Sequence, residues 1–268
     1  MKKRVLISVF ALAIFTSCNE AVKTTESSSE KQVVEKKEHP EHWSYDGETS
    51  PEHWAEFEKN SECGGKFQSP INIVSTDGIA DGKLKPLDIH YQENTKIHDV
   101  TNNGHSIQYN FEKGDYVNYN GDRYDLMQFH FHEGSEHTID GIRYPMEIHL
   151  VHTNAKGKYL VIAVMAKEGV ASAPFNFLEN YLPIKQGETK TVNKSFNLNS
   201  NLPKNKGYYN YIGSLTTPPC TQGVNWFVFK EPITASLKQV KELKSLMPVN
   251  NYRNEQALNG RKVYVYEQ

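Results

Sequence analysis

The 268-residue sequence has few cysteines, no excess of positive charge and no long apolar run. Its 30 lysines and arginines are set against 32 aspartates and glutamates. No basic stripe or aromatic–arginine ladder occurs, so nucleic acid is not an expected partner. The apolar run at residues 5–15 is too short to span a bilayer comfortably. Three cysteines allow at most one disulfide within a chain.

The first 17 residues have the pattern of a secretion signal, with basic residues 2–4, an apolar run and then small residues. The segment closes as "FTSC", which resembles a bacterial lipoprotein processing site, although Phe15 stands where leucine is more usual. That resemblance implies a lipid on Cys18. The alternative is an ordinary signal with an incidental cysteine. We therefore predict an exported protein of the periplasm or cell envelope, anchored to a membrane only through lipidated Cys18.

Residues 18–41 are predicted to form a disordered tether, because Glu, Lys, Ser and Thr dominate and little can be buried. Residues 42–268 show no internal repeat and no second linker, which favours one large domain. Removing the signal takes away three positive charges and leaves a mature net charge of about −5. In an exported protein Cys63 and Cys220 most simply form one disulfide, with two buried thiols as the alternative.

Alternation of apolar and polar residues predicts strands in five runs, which are 106–112, 125–132, 146–152, 159–167 and 224–232. Turn signals such as "NNG", "NGD" and "NAKGK" separate several of them. Helical periodicity is scarce. It is clearest over 234–247, where Leu237, Val240, Leu243 and Leu246 lie roughly along one side. The pattern predicts a mainly β (α+β) single domain with a few peripheral helices.

Five of the eleven histidines lie within "DLMQFHFHEGSEHTIDGIRYPMEIHLVH", residues 125–152. Strand side chains alternate between faces. On the first strand, the side chains predicted to share one face are those of Leu126, Gln128, His130 and His132. The side chains predicted on the opposite face are those of Met127, Phe129 and Phe131. On the next strand Glu147, His149 and Val151 share a face. If the two strands are antiparallel neighbours, His130, His132 and His149 can converge.

Three neutral imidazoles at one point suit a tetrahedral Zn²⁺ whose fourth position is left for water. Gln128 and Glu147 could accept the imidazole N–H groups and fix the ring tautomers. A cupin-type site is an alternative, because His130, His132 and Glu136 approximate that family's H-x-H-x₃-E spacing. The second cupin signature, P-x-G ahead of the later histidine, is absent.

The sequence resembles the α-class carbonic anhydrases over nearly all of residues 42–268. The matching stretches occur in the family's order: "HWSY" (42–45), "SPEHW" (50–54), "QSPINI" (68–73), "NNGH" (102–105), "QFHFHEGSEHTIDG" (128–141), "MEIHLVHTN" (146–154), "GSLTTPPC" (213–220), "NWFVFKEPI" (225–233) and "NYR" (251–253). The resemblance implies a large, mostly antiparallel ten-stranded twisted sheet. It also implies one Zn²⁺ per chain at the bottom of a conical cleft.

The resemblance further implies reversible hydration of CO₂ to bicarbonate and a proton by attack of a zinc-bound hydroxide. The matched metal ligands are His130, His132 and His149, and the matched acceptors behind them are Gln128 and Glu147. Glu136 and Thr216 match the pair that orients the hydroxide. A water bound in a three-histidine zinc site has a pKa of about 7, against 15.7 in bulk, which makes hydroxide available at neutral pH.

Other roles also follow from the resemblance. His105 matches the proton shuttle, and Tyr45 and Asn103 match residues that order water along its path. The substrate pocket matches Val151, Val161, Leu215, Thr217, Val224 and Trp226. Cys63 and Cys220 fall where secreted members carry a disulfide, which would also help to hold Thr216. Glu133 departs from the family, because animal relatives often have tryptophan there. His137 is expected to make structural hydrogen bonds, and His152 to lie on the opposite sheet face.

Three functions are weighed for this domain. The favoured one is a zinc lyase interconverting CO₂ and bicarbonate, for which the resemblance implies anions and sulfonamides as inhibitors and leaves a homodimer open. The second is a zinc hydrolase of small esters, an activity the same hydroxide could show as a minor side reaction. The third is a non-catalytic binding module, although members of that kind tend to have lost ligands and all three histidines are present here.

Overall fold

The structure is a computed structural model that describes residues 42–57 and 60–268. The predicted signal peptide (1–17), the lipidation site at Cys18 and the predicted tether lie outside these residues. Within the described part of the chain, no helix is both long enough and apolar enough to cross a membrane.

Strands dominate the described residues, and their bounds are β1 Asn72–Ile73, β2 Ile79–Ala80, β3 Asp88–His90, β4 Thr95–Asn102, β5 Ile107–Phe111, β6 Tyr116–Tyr119, β7 Asp122–His132, β8 Thr138–Ile139, β9 Ile142–Arg143, β10 Met146–Asn154, β11 Tyr159–Glu168, β12 Thr189–Phe196, β13 Tyr208–Ser214, β14 Gln222–Phe229, β15 Ile233–Ala235 and β16 Tyr264–Tyr266. All five predicted strand runs are therefore confirmed. Strands β1, β8 and β9 form a small separate sheet.

The other thirteen strands form one large sheet. Its main path has ten strands in the order β12-β4-β5-β7-β10-β11-β14-β13-β16-β2, to which β3, β6 and β15 attach. Most neighbours are antiparallel, as predicted. Three pairs are parallel, namely β11 with β14, β11 with β15 and β16 with β2, so the sheet is mixed. The prediction of a mainly β single domain around a large central sheet is confirmed.

Helices are short in the described chain: α1 spans Trp54–Phe57 and precedes β1, α2 spans Ala173–Glu179 and α3 spans Leu237–Lys244. Three 3₁₀ turns cover Gly47–Thr49, Ser75–Asp77 and Leu198–Asn201.

The helix predicted over 234–247 is shorter than expected at both ends. Residues up to Ala235 belong to β15, and Ser236 then caps α3 by a capping box with Gln239. Leu237 therefore stands in the first turn and is 46% exposed, whereas Val240 and Leu243 are buried. The predicted apolar side of this helix is wrong at Leu237.

The sheet separates two apolar clusters. Along β10, Ile148 and Leu150 pack into the larger cluster with Phe129 and Phe131 of β7. Val151 instead packs into the smaller cluster on the other side. This alternation leaves polar residues of β7 and β10 on the same face as the smaller cluster. The fold thus places a polar centre beside an apolar wall.

A β-bulge corrects one detail of the predicted faces. The β7–β10 register shifts between Val151 and His152, whose partners are Gln128 and Leu126, so Met127 is an extra residue. As a result Leu126 is buried in the larger cluster, whereas Met127 is 43% exposed. The predicted grouping of Leu126 with Gln128, and of Met127 with the two phenylalanines, is wrong because it assumed an unbroken ladder.

Candidate metal centre

Strands β7 and β10 bring three histidines together. The strands are antiparallel, with His130 opposite His149 and Glu147 opposite His132. One ring nitrogen from each of His130, His132 and His149 lies within 4.8 Å of the others, and the Nε2 atoms of His130 and His132 are 3.1 Å apart. The predicted convergence of these side chains is therefore present in the structure.

The other nitrogen of each ring has an oxygen acceptor. His130 Nδ1 is 2.9 Å from Gln128 Oε1, and His149 Nε2 is 2.8 Å from Glu147 Oε1. His132 Nδ1 is 2.5 Å from the main-chain carbonyl of Asn251. Because each of these nitrogens donates its proton outward, the lone pairs that remain are on Nε2, Nε2 and Nδ1. Such tautomer control is typical of metal-binding histidines.

The electrostatics at His130 and His132 favour neutral rings. Burial lowers the pKa of His130 well below its usual value, and the neighbouring His132 and His149 lower it further. Burial also lowers the pKa of His132, partly offset by the charge of Glu136. Neutral imidazole is the form that binds a metal ion. The donor set of three neutral nitrogens therefore fits Zn²⁺.

Glu136 supplies a buried carboxylate beside the trio. Its Oε1 accepts a hydrogen bond from the main-chain N–H of Arg253 at 2.9 Å. Its Oε2 has no hydrogen-bond partner among the described residues, and lies 3.5 Å from His132 Nε2 and 3.8 Å from His149 Nδ1. A buried oxygen left without a donor is costly, and a cation at the trio would offset that cost. This orphaned oxygen is a second indication that the residues fit a metal ion.

A buried network extends behind His149. Glu147 Oε1 also accepts from His137 Nδ1 at 2.7 Å, and Oε2 accepts from the His137 main-chain N–H at 2.8 Å. The other ring nitrogen of His137 is 2.6 Å from the Tyr211 hydroxyl. Burial alone would raise the pKa of Glu147, but the charges and hydrogen bonds of His137 and His149 hold it well below its usual value. His137 therefore has the hydrogen-bonding environment expected of it.

An apolar wall lies next to the trio. Four of the predicted pocket residues belong to the smaller apolar cluster, namely Val151, Val161, Val224 and Trp226. Leu215 packs against this cluster. The Trp226 ring centroid is 4.9 Å from that of His149, which joins the wall to the polar centre. Thr216 is buried, and Thr217 is half-buried with its carbonyl accepting from the N–H of Cys220 at 2.8 Å. Among the described residues no hydrogen bond joins the side chains of Thr216 and Glu136.

The predicted disulfide is present and joins Cys63 to Cys220. It adjoins the turn that carries Thr216, because Leu215 N–H donates to the Thr221 carbonyl at 2.9 Å on the same turn. Both cysteines pack against buried Trp54. The bond therefore ties the segment before the site to the turn beside it.

His105 lies on an aromatic platform. Its ring stacks on Trp43 with centroids 3.7 Å apart, and Tyr45 stands edge-on to it at 6.2 Å. The predicted water-ordering residue Asn103 holds this turn, because its Oδ1 accepts from the His105 N–H at 2.9 Å. Burial lowers the pKa of His105 to about 4, and the charge of nearby His42 lowers it as well.

Comparison with known proteins identifies the family of the chain. The family model for eukaryotic-type carbonic anhydrase matches residues 49–267. The chain belongs to the α-carbonic anhydrase family. A carbonic anhydrase of Klebsiella pneumoniae is 42% identical over 226 residues, which cover 83% of this chain and 90% of the relative. One from Neisseria gonorrhoeae is 40% identical over 83% of this chain and 87% of its own length.

A solved structure agrees with these relatives. The α-carbonic anhydrase of Thermovibrio ammonificans, in complex with the inhibitor sulfanilamide, has a TM-score of 0.79 and 40% identity. The match covers 83% of this chain and 98% of that one. This α-carbonic anhydrase chain is thus an enzyme of a family that hydrates CO₂. The cupin-type alternative is wrong.

Two contacts in this carbonic anhydrase site were missed by sequence reasoning. The Asn251 carbonyl accepts from His132, and the Arg253 N–H donates to Glu136. Both partners are main-chain atoms more than 100 residues away in the sequence. In the sequence, the family match of "NYR" (251–253) is the one signal that points to this segment.

Proposed function

We propose that this carbonic anhydrase catalyses zinc-dependent, reversible hydration of CO₂ to bicarbonate and a proton. The observation that carries the proposal is the trio of His130, His132 and His149. Their inward nitrogens lie within 4.8 Å of one another, and each outward nitrogen has its own oxygen acceptor. Three neutral imidazoles with one open position are the donor set of a catalytic zinc site.

The three histidines would hold one Zn²⁺ per chain, with Gln128 and Glu147 fixing the rings of His130 and His149. When bound, the metal lowers the pKa of a coordinated water from 15.7 to about 7 and so supplies a nucleophile at neutral pH. These acceptors keep the histidine lone pairs pointed inward before a metal ion binds. This preorganisation limits the reorganisation needed on binding.

Glu136 and Thr216 would orient the attacking oxygen. The unpartnered Glu136 Oε2 is available to accept the Thr216 hydroxyl proton, and the Arg253 N–H on Oε1 holds the carboxylate in place. Once its proton is engaged, the Thr216 oxygen is an acceptor that directs a neighbouring O–H. Its main-chain N–H would bind a substrate oxygen. Such fixed dipoles act strongly in a water-poor site.

CO₂ would bind against the apolar wall. The substrate is linear and carries no net charge, so it gains little from polar groups and needs apolar surface next to the trio. Val151, Val161 and Val224 lie in one cluster with Trp226, and Leu215 packs against them. Thr217 borders this pocket in the proposal. The position of Trp226 against His149 is what makes this wall suitable.

His105 would carry the product proton to solvent, with Tyr45 and Asn103 ordering water along the path. An imidazole ring can accept a proton at one nitrogen and release one from the other, which suits this step. Its turn is connected to the metal centre through Asn251, whose side-chain amide donates to the His105 carbonyl at 2.9 Å. The Asn251 carbonyl contacts His132 directly.

The test is stopped-flow CO₂ hydration by wild type and His149→Ala, with zinc quantified in both. We expect zinc and hydration to be lost together in the variant. His53→Ala is the matched control, because this exposed histidine lies away from the trio and should keep both. Full activity in a zinc-depleted His149→Ala protein would contradict the mechanism.

A parallel assay separates the competing functions. We expect minor hydrolysis of p-nitrophenyl acetate and inhibition of both reactions by anions and by a sulfonamide, as the sulfanilamide complex of the Thermovibrio relative suggests. Ester hydrolysis without CO₂ hydration would favour the small-ester hydrolase. A zinc-free and inert wild type with intact histidines would favour the non-catalytic binding module.

The cellular context is part of the same proposal. We propose export, cleavage after residue 17 and a lipid on Cys18 that anchors the domain (42–268) through the segment 18–41. The mass of the mature N-terminus, measured for wild type and Cys18→Ser, tests this directly. A homodimer remains part of the proposal and is tested by the mass of the purified domain in solution.

A further inference from the structure

The proposed shuttle histidine has a second imidazole bound to it. His42 Nε2 and His105 Nε2 are 2.8 Å apart, and the ring centroids are separated by 5.0 Å. His42 is exposed, whereas His105 is half-buried on Trp43. His42 is not among the residues that the family resemblance assigns to the chemistry. The pair thus runs from the half-buried turn near the metal centre to the surface.

We propose that His42 and His105 form a two-imidazole relay, in which a proton enters at His105 and leaves to solvent from His42. The relay rests on the proposed CO₂ hydration, because it carries the proton which that reaction releases. His42 acts through His105.

The proton balance of the relay is simple. The shared hydrogen bond occupies Nε2 of both rings. A proton that enters at His105 Nδ1 forms one N–H bond there, while the Nε2–H bond of His105 breaks and its proton passes to His42 Nε2. His42 then loses its Nδ1 proton to buffer. One proton enters and one leaves. Each ring then returns to its starting tautomer by giving its proton to water at one nitrogen and taking a proton from water at the other.

The relay solves a problem that the position of His105 creates. Burial, and next the charge of His42, lower the pKa of His105 to about 4. A ring of that acidity accumulates little of its doubly protonated form near neutral pH, so alone it is a weak acceptor in this orientation. Passing the proton through the ring to an exposed partner avoids that accumulation.

The residues around His42 and His105 hold the two rings in position. Trp43 is fixed edge-on to Trp54 at 5.1 Å, and the Trp54 indole N–H donates to the Thr49 carbonyl at 2.9 Å. Tyr45 is the other titratable group facing the His105 ring, and burial raises its pKa well above the usual value, so it stays neutral. The segment that carries His42 is therefore anchored by buried tryptophan.

The test compares His42→Ala and His42→Gln with wild type at low and high buffer concentration, each zinc-loaded. Glutamine retains a hydrogen-bonding group for His105 but cannot relay a proton. We expect both variants to lower kcat at low buffer by several-fold, up to about tenfold, and to leave kcat/KM unchanged. Added imidazole should restore kcat. In a His105→Ala background, His42→Ala should have no further effect.

A second readout does not depend on turnover. In ¹⁵N NMR of the imidazole rings, His42→Ala should shift the His105 Nε2 resonance and raise the His105 pKa, since the charge of His42 is removed. His53→Ala should leave both rings and kcat unchanged. Wild-type kcat with no buffer dependence, or a His42→Gln protein with wild-type kcat at low buffer, would overturn the relay. A wild type that binds no zinc and does not hydrate CO₂ would instead refute the proposed function, and the relay with it.

Discussion

Replacing His152 with glutamine is expected to flatten the dependence of the unfolding free energy on pH. His152 is fully buried on the sheet face opposite the histidine trio, as predicted. Its Nε2 is 2.7 Å from the Tyr91 hydroxyl and its Nδ1 is 3.2 Å from the Leu160 carbonyl. Since Nδ1–H donates to the carbonyl, Nε2 accepts from Tyr91 and the ring is neutral.

The size of the effect follows from the shifted pKa. Burial lowers the pKa of His152 to about 4, although the Leu160 and Leu150 carbonyls and Asp125 partly oppose this. In the unfolded chain the pKa is about 6.5. Below pH 6.5 His152 therefore binds a proton in the unfolded state but stays unprotonated in the folded state until the pH approaches 4. The unfolding free energy therefore falls as the pH falls. The loss reaches about 3 kcal/mol at pH 4, and about 2 kcal/mol of it falls between pH 7 and pH 5.

The assay is urea unfolding of wild type and His152→Gln at several pH values from 7.5 to 4.5. Glutamine does not titrate and can still accept from Tyr91. All other histidines are common to both proteins, so their contributions cancel in the difference between the two curves. His53→Gln is the control, because this half-exposed side chain should leave the wild-type slope unchanged. Parallel curves for wild type and His152→Gln would refute the burial argument.

Two further predictions concern the site and its support. Gln128→Leu should weaken zinc binding about tenfold, because His130 Nδ1 loses its acceptor and the tautomer of the ring is no longer fixed. Competition with a chelator measures the zinc affinity. An unchanged affinity would contradict the role of Gln128. The double variant Cys63→Ser/Cys220→Ser removes a disulfide that joins residues 157 apart in sequence and should lower the unfolding free energy by up to about 5 kcal/mol. Activity should also fall, because the turn that carries Thr216 is then less constrained. No change in unfolding free energy or in activity would argue against this role of the disulfide.

Side-chain alternation predicted the convergence of the three histidines of the candidate metal centre. His130 and His132 are two residues apart on β7, and the antiparallel partner brings His149 opposite His130. A period of two therefore determined which rings share a face once the strands were assumed to be neighbours. The same logic placed Gln128 and Glu147, since each lies two residues from the histidine that it contacts.

The same alternation failed where the backbone changes register. Met127 is an extra residue in the β7–β10 pairing, and its side chain gives no indication of a β-bulge. At α3, the end of β15 and the Ser236 cap decide where the helix begins, so Leu237 falls in the exposed first turn. Both errors come from backbone geometry that apolar periodicity does not report: a register shift in one case, and a capping box at the helix start in the other.

A short C-terminal segment connects groups that the strands alone leave separate. The Asn251 carbonyl binds His132, and its side-chain amide binds the carbonyls of His105 and Phe131. Two residues later, the Arg253 N–H binds Glu136. Main-chain donors and acceptors are the same for every residue type, so no sequence pattern marks them. The proposed metal ligands are thus brought together by strand periodicity, whereas their connection to the proposed proton path depends on a segment that only the folded chain brings to the site.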